Sequence, residues 1–194
     1  MIRKITKIID SHRKMAIVLI GNEFVEQMKA QFRSCWLMLR QAIRNVPDEY
    51  WSMGLIRRNE PWVDTEEMNI EYYSYVVLHL LESVEFYSQD DTNEMIWGAA
   101  IGGIDWKKES PQETASRISK EAMLEYSKKI ESLLEAKLNS LSEKDLLEPD
   151  GFSRSYPNRL AKYLNLMRHT MFHIGELARV LRNCNCERLN WESE

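Results

Sequence analysis

Four stretches of this chain repeat their apolar residues every three or four positions. Glycine and proline, which would interrupt such a repeat, are scarce: seven and five in 194 residues. A period near 3.6 places those side chains on one face of a helix, so the pattern calls for helices that bury a stripe against one another. The first runs over about residues 22–46 through Phe24, Met28, Phe32, Cys35, Leu39, Ala42 and Val46, with Asn22 as candidate N-cap and Pro47 ending it. The second covers about residues 65–88. Tyr73, Val76, Leu80, Val84 and Tyr87 mark its core line, and Glu71, Ser74, Glu82 and Glu85 its polar edge. The third opens at Ser110-Pro111-Gln112-Glu113, where Ser110 caps, Pro111 suits the first helical position and Glu113 completes a capping box; its spacing continues to about Asn139. The last begins near Pro157, with Ser155 or Tyr156 as cap, and reaches Arg182, where Asn183 and Asn185 are natural stops.

Between these stretches no convincing strand is evident. Residues 47–66 read as a loop carrying Trp51, Trp62 and Arg57-Arg58, and residues 143–154 as another through Pro149-Asp150-Gly151. Residues 89–109 are too long for a simple turn and predict a crossover. The expected fold is all-α: a four-helix bundle with a long crossover between helices two and three, in a single domain whose core spans about residues 22–183 behind an extension over 1–20.

Composition removes several classes of function. The net charge of −4 provides no basic field for nucleic acid. The longest apolar run, residues 15–20, is far short of a membrane span. It follows a basic start, but Gly21-Asn22-Glu23 lacks the small-residue cleavage pattern of a signal peptide. Three cysteines, Cys35, Cys184 and Cys186, fit a reducing cytoplasm better than a disulfide scaffold. Cys184-Asn185-Cys186 lacks the second pair of a zinc ribbon and reads as two surface thiols.

The chemistry-bearing pattern lies in the histidines. His169 and His173 are four apart and stack on one helix face; His79 lies on the second helix. On the last helix Leu160, Leu164, Met167, Met171, Ile174, Ala178 and Leu181 centre the apolar stripe, which puts both histidines at its rim. His79 sits likewise at the edge of its own stripe, toward Glu82. Two such edges meeting at the lip of a groove would suit a metal that substrate must reach, since imidazole is a common ligand and three ligands leave a position open. Spacing alone also fits ordinary packing histidines. The zinc-protease helix is absent, because no Glu follows His169, and the di-iron Glu-x-x-His order is reversed in His79-Leu80-Leu81-Glu82 and His173-Ile174-Gly175-Glu176. Glu82 and Glu176 are candidates to support a ligand or act as general base, surface solvation being the plainer reading of each.

The segment 164–182, LNLMRHTMFHIGELARVLR, resembles the C-terminal helix of the DinB/YfiT-like superfamily of metalloenzymes, in which a His-x-x-x-His pair is followed closely by Gly. His169, His173 and Gly175 fill those positions, and residues 76–82 resemble the family's other histidine-bearing helix at His79. The likeness covers most of residues 23–183. Thr170 departs from a frequent Glu, Glu176 from a frequent Gln, and residues 1–20 have no counterpart. The resemblance implies a divalent metal, often nickel or zinc, held by His79, His169 and His173 with water in the open positions. It also implies a small-molecule substrate, in some relatives a low-molecular-weight thiol as cosubstrate, and a homodimer.

Two functions follow as expectations. One is a metal-dependent enzyme, a hydrolase or a thiol transferase, with Tyr72, Tyr75, Trp51, Trp97 and Trp106 as possible pocket walls or, more simply, core and loop anchors. The other is a non-catalytic helical module that pairs its apolar surface with itself or another protein and needs no metal.

Overall fold

A computed structural model describes residues 2–57, 70–89, 95–105, 107–150 and 156–191, with 2–22, 55–57 and 70–71 described by backbone alone. Trp62, Arg58, Trp106, Ser155 and the expected start of the second helix near Thr65 lie outside the described residues.

Helix α1 (Ile2–Asn45) is followed by the single turn α2 (Asp48–Trp51), strand β1 (Gly54–Arg57), strand β2 (Ile70–Tyr72), α3 (Tyr73–Ser88), a 3₁₀ turn at Ala99–Ile101, α4 (Pro111–Arg117), α5 (Lys120–Asn139), α6 (Glu143–Leu147) and α7 (Arg159–Asn183). The all-α expectation holds, with one correction: β1, in what reads as loop, pairs antiparallel with β2, which replaces helix at residues 70–72, so the second long helix begins at Tyr73. So short a ribbon escapes a search for alternation.

α1 is 44 residues long and does not start at Asn22. One glycine costs a helix only about 1 kcal/mol relative to alanine, so Gly21 fails to stop a run of helix-forming neighbours. Among its described side chains, the buried line starts at Val25; Phe24 is exposed. The third stretch is two helices, broken at Ile118–Ser119. Ser119 accepts from Ala122 N–H and so caps α5, while the expected Ser110–Glu113 capping box opens α4. The carbonyls near the break gain side-chain donors. Trp51 Nε1–H donates to Ile118 O at 2.6 Å, and the hydroxyls of Ser74 and Ser52 donate to Ala115 O. Trp51 is therefore a buried anchor of this junction and no pocket wall. At the far end α7 stops in a Schellman motif: Asn185 has φ 54°, Cys186 N–H donates to Leu181 O and Asn185 N–H to Arg182 O.

α1 and α3 each pack chiefly on α5 and α7, so α1 sits diagonally from α3 and α5 from α7. Directions follow from partners. Arg40 meets Glu131 and Lys29 meets Asn139, so α1 and α5 are antiparallel. Ser74 meets Ala115 and the Tyr126 hydroxyl meets Glu85, so α3 and α5 are parallel. Tyr87 packs on Tyr156 while His79 packs on His173, so α3 and α7 are antiparallel. The order is up, down, down, up, and the segment between α3 and α4 is the overhand crossover that two parallel neighbours require. One cluster of buried apolar side chains, including Trp36, Leu39, Tyr73, Leu80, Leu81, Ile130, Tyr163, Leu166 and Leu177, runs through all four long helices. Among the described residues no helix is long and apolar enough to cross a membrane.

Candidate metal centre

α7 is positioned by Asn158, whose side chain accepts from Ala161 N–H at 2.9 Å; this residue, not Ser155 or Tyr156, is the cap. Its buried residues are Lys162, Tyr163, Leu166, Thr170, His173, Ile174, Leu177, Val180 and Leu181. Their line is rotated from the expected stripe: Leu164 is exposed, and Met167 and Met171 are half-buried. The reason is the diagonal arrangement. α7 lies between two neighbours, so it has two contact faces. Met167 and Met171 turn toward α1, where with Cys35, Met38 and Trp191 they line a cavity of about 80 Å³. The other face meets α3 and carries the histidines.

The rotation changes their burial. His173 is 2% exposed and no rim residue, His169 is half-buried, and His79 alone is exposed. The cluster therefore runs from core to solvent. One nitrogen from each of the three lies within 4.8 Å of the others. His169 Nε2 and His173 Nε2 are 3.1 Å apart, and the His79 ring centroid is 5.3 Å from that of His169 and 5.0 Å from that of His173. Two imidazole nitrogens bound at about 2.1 Å to one tetrahedral ion stand roughly 3.4 Å apart, so this donor set fits a single divalent ion with little movement.

Glu176 supplies the support that such a site needs. Its Oε2 lies 2.8 Å from His173 Nδ1, an ion-pair distance at a half-buried carboxylate. The carboxylate draws the proton to Nδ1, leaving the Nε2 lone pair facing His169, the arrangement by which outer carboxylates orient and strengthen histidine ligands. Glu176 is thus not simply solvated. The i, i+3 spacing from His173 carried the signal.

Glu82 follows a different course. It is 3% exposed, contrary to its place on a polar edge, and it accepts a hydrogen bond from Gly98 N–H in the crossover. Burial pushes its carboxyl up to about 7, opposed by the Gly98 N–H and assisted by the Glu85 charge. Ser74 of the same expected edge is fully buried as well. Glu85 accepts from the Tyr126 hydroxyl and stands 3.6 Å from Lys129. Glu82 pins the crossover. Gly98 is required there: its φ is +70°, and a Cβ would press on the Ile104 side chain and lie 2.8 Å from Ile104 N. Gly175, in contrast, faces open space, where a Cβ would meet nothing.

Of the other expected pocket residues, Tyr72 and Tyr75 are half-buried near the start of α3, and Trp97 is 39% exposed on the crossover, its ring 5.6 Å from that of Phe86. Two aromatic residues escaped the sequence reading, Phe86 and Phe172, the latter 5.3 Å from the His173 ring, while Tyr87, expected in the core, is half-buried beside Phe86. Phe86 was findable, since it follows His79 by seven residues on one helix face. The cysteines are free, Cys35 buried and Cys184 and Cys186 half-buried at the end of α7.

No protein-family model matches the chain, and neither a curated protein nor a solved structure matches it. What stands is an all-helical bundle with a three-histidine group able to hold a metal ion.

Proposed function

We propose that this chain is a metal-dependent enzyme of the DinB-like type, in which His79, His169 and His173 hold one divalent ion, zinc or nickel, and a water or small thiol is activated for hydrolysis or transfer. The observation that carries the reading is the convergence of three imidazoles from two antiparallel helices, with His173 oriented by Glu176. A packing role accounts poorly for that convergence. Each of the three imidazoles offers one nitrogen to a common point, and a single cation satisfies all three at once.

When bound, such an ion lowers the pKa of a coordinated water or thiol, giving a nucleophile near neutral pH. The chain's own residues do the rest. His173, buried and held by Glu176, fixes the inner wall of the site. His169, one turn earlier, sets the second direction. His79, exposed on α3, leaves the outer side open to substrate. Glu176 is spent on His173, and Glu82 is spent on Gly98, so the proposal assigns general-base work to neither.

The test is elemental analysis of tag-free protein after exposure to zinc or nickel and dialysis. Wild type is expected to keep one ion per chain, and His79→Ala and His169→Ala to lose it. Folded wild-type protein that stays metal-free sinks the reading in favour of a non-catalytic helical module. Retention by His79→Ala at wild-type affinity removes that residue from the site.

A further inference from the structure

About two turns beyond His79 along α3, toward the crossover, lies a strip of four aromatic side chains in mutual contact. Phe86 follows His79 by seven residues, two turns or about 10 Å along α3 and within about 20° of the same direction. Trp97 stands against it from the crossover, ring centroids 5.6 Å apart, and Tyr87 lies edge-on to it at 5.3 Å. Tyr87 in turn meets Tyr156 at 5.9 Å. The Tyr156 hydroxyl accepts from Asn165 Nδ2 at 2.7 Å, and Asn165 is one turn before His169 on α7. The strip therefore leaves the cluster on α7 and returns along α3, closing on the seam that holds the three histidines. None of its four rings is buried: Phe86, Tyr87 and Tyr156 are partly exposed and Trp97 is 39% exposed. The strip's outer wall is held in place, since Glu82 grips Gly98, the residue after Trp97.

Resting on the metal-dependent reading above, the geometry points to a substrate with a flat aryl portion. The aryl group lies on the Phe86–Trp97 strip and its reacting group lies at the histidines. Offset and edge-to-face contacts with several rings favour a planar π-system over an alkyl chain of equal area. The separation of about two helical turns between His79 and Phe86 suits a bicyclic group better than a single small ring. A metabolite bearing only alkyl or hydroxyl groups would leave these rings facing water.

The probes are two hydroxamates, which chelate zinc through the same atoms: 2-naphthohydroxamate, which carries the aryl group, and acetohydroxamate, which does not. Each is titrated calorimetrically into the full chain with and without zinc. On zinc-loaded wild type the naphthyl probe is expected to bind at least about tenfold more tightly. That preference should fall to within roughly twofold in Phe86→Leu and Trp97→Leu, which keep an apolar side chain but lose the ring, while acetohydroxamate affinity stays unchanged. Equal affinities in wild type, or a naphthyl preference that survives both substitutions, overturn the proposal. Acetohydroxamate affinity that ignores zinc counts against the metal reading alone. The strip is then judged on zinc-free protein, where naphthyl binding that depends on Phe86 supports it and the lack of such binding overturns it. Circular dichroism of both variants confirms that they fold.

Discussion

Two seams of this bundle treat polar side chains in opposite ways. Between α1 and α5, charges meet their complements: Arg40 and Glu131 are 2.6 Å apart, Arg33 and Glu135 3.7 Å, and Lys29 Nζ reaches Asn139 at 2.6 Å. Between α3 and α7, three imidazoles meet one another. The first seam is closed in itself. The second collects three imidazoles whose nitrogens share a common point, a group that could hold a metal ion. Polar groups that cancel report on stability, and polar groups that accumulate report on binding.

Substitution at the second seam should break this contrast most forcefully. His173→Ala is expected to abolish stoichiometric metal, lowering affinity by more than the roughly 10–100-fold that losing an orienting partner costs, and Glu176→Gln should fall within that range. Competition against a chelator of known affinity measures both. If His173→Ala holds metal as tightly as wild type, the two seams do not differ in kind.

The next largest effect concerns the crossover, which packs on α3, a helix of the second seam, and on α5. Gly98→Ala forces a Cβ at φ +70° onto Ile104 and should destabilise the fold by about 2–4 kcal/mol in urea unfolding. Glu82 sharpens the same point through pH. Its folded-state carboxyl lies near 7 against an ordinary 4.5, so the fold holds the proton more tightly than the unfolded chain does. Its contribution is therefore complete below about 4.5 and drains away as pH climbs through about 7. Glu82→Gln should be more stable than wild type by about 1–3 kcal/mol at pH 8, with the advantage gone at pH 4. A constant difference between the two pH values sinks that account.

The first seam should answer weakly. Replacing Arg40 by Met together with Glu131 by Leu is expected to cost about 1 kcal/mol or less and to leave metal affinity untouched. A large change in metal affinity there would show that the seams are coupled.

How much of this was legible in the residues depends on what each feature rests upon. Apolar spacing carried the long helices, and the Ser110–Glu113 box was readable because capping is local. The break before Ser119 was not, because the apolar repeat runs through it without a change of phase. What compensates the break comes from Trp51 and Ser74, far away in sequence. The three histidines were legible from spacing on α7 together with resemblance, but their burial was not. Placing His173 in the interior required knowing that α7 has two contact faces. Glu82 misled for a related reason: a carboxylate on a helix edge reads as solvated, and only the crossover folding over it supplies the Gly98 N–H that lets it be buried.

The order up, down, down, up carries a kinetic consequence. Of the three pairs of long helices consecutive in the chain, two are diagonal, and only α3 and α5 lie side by side, across the longest connection. A simple up-and-down bundle closes by zipping helical hairpins of neighbouring segments. Here early hairpins between α1 and α3, or between α5 and α7, would be non-native, and the productive contacts join segments distant in sequence, so loop closure is paid before packing is gained. Refolding should be slower than the helix content suggests. His79 and His169, which belong to the second and the last long helix, come together only when α3 and α7 dock.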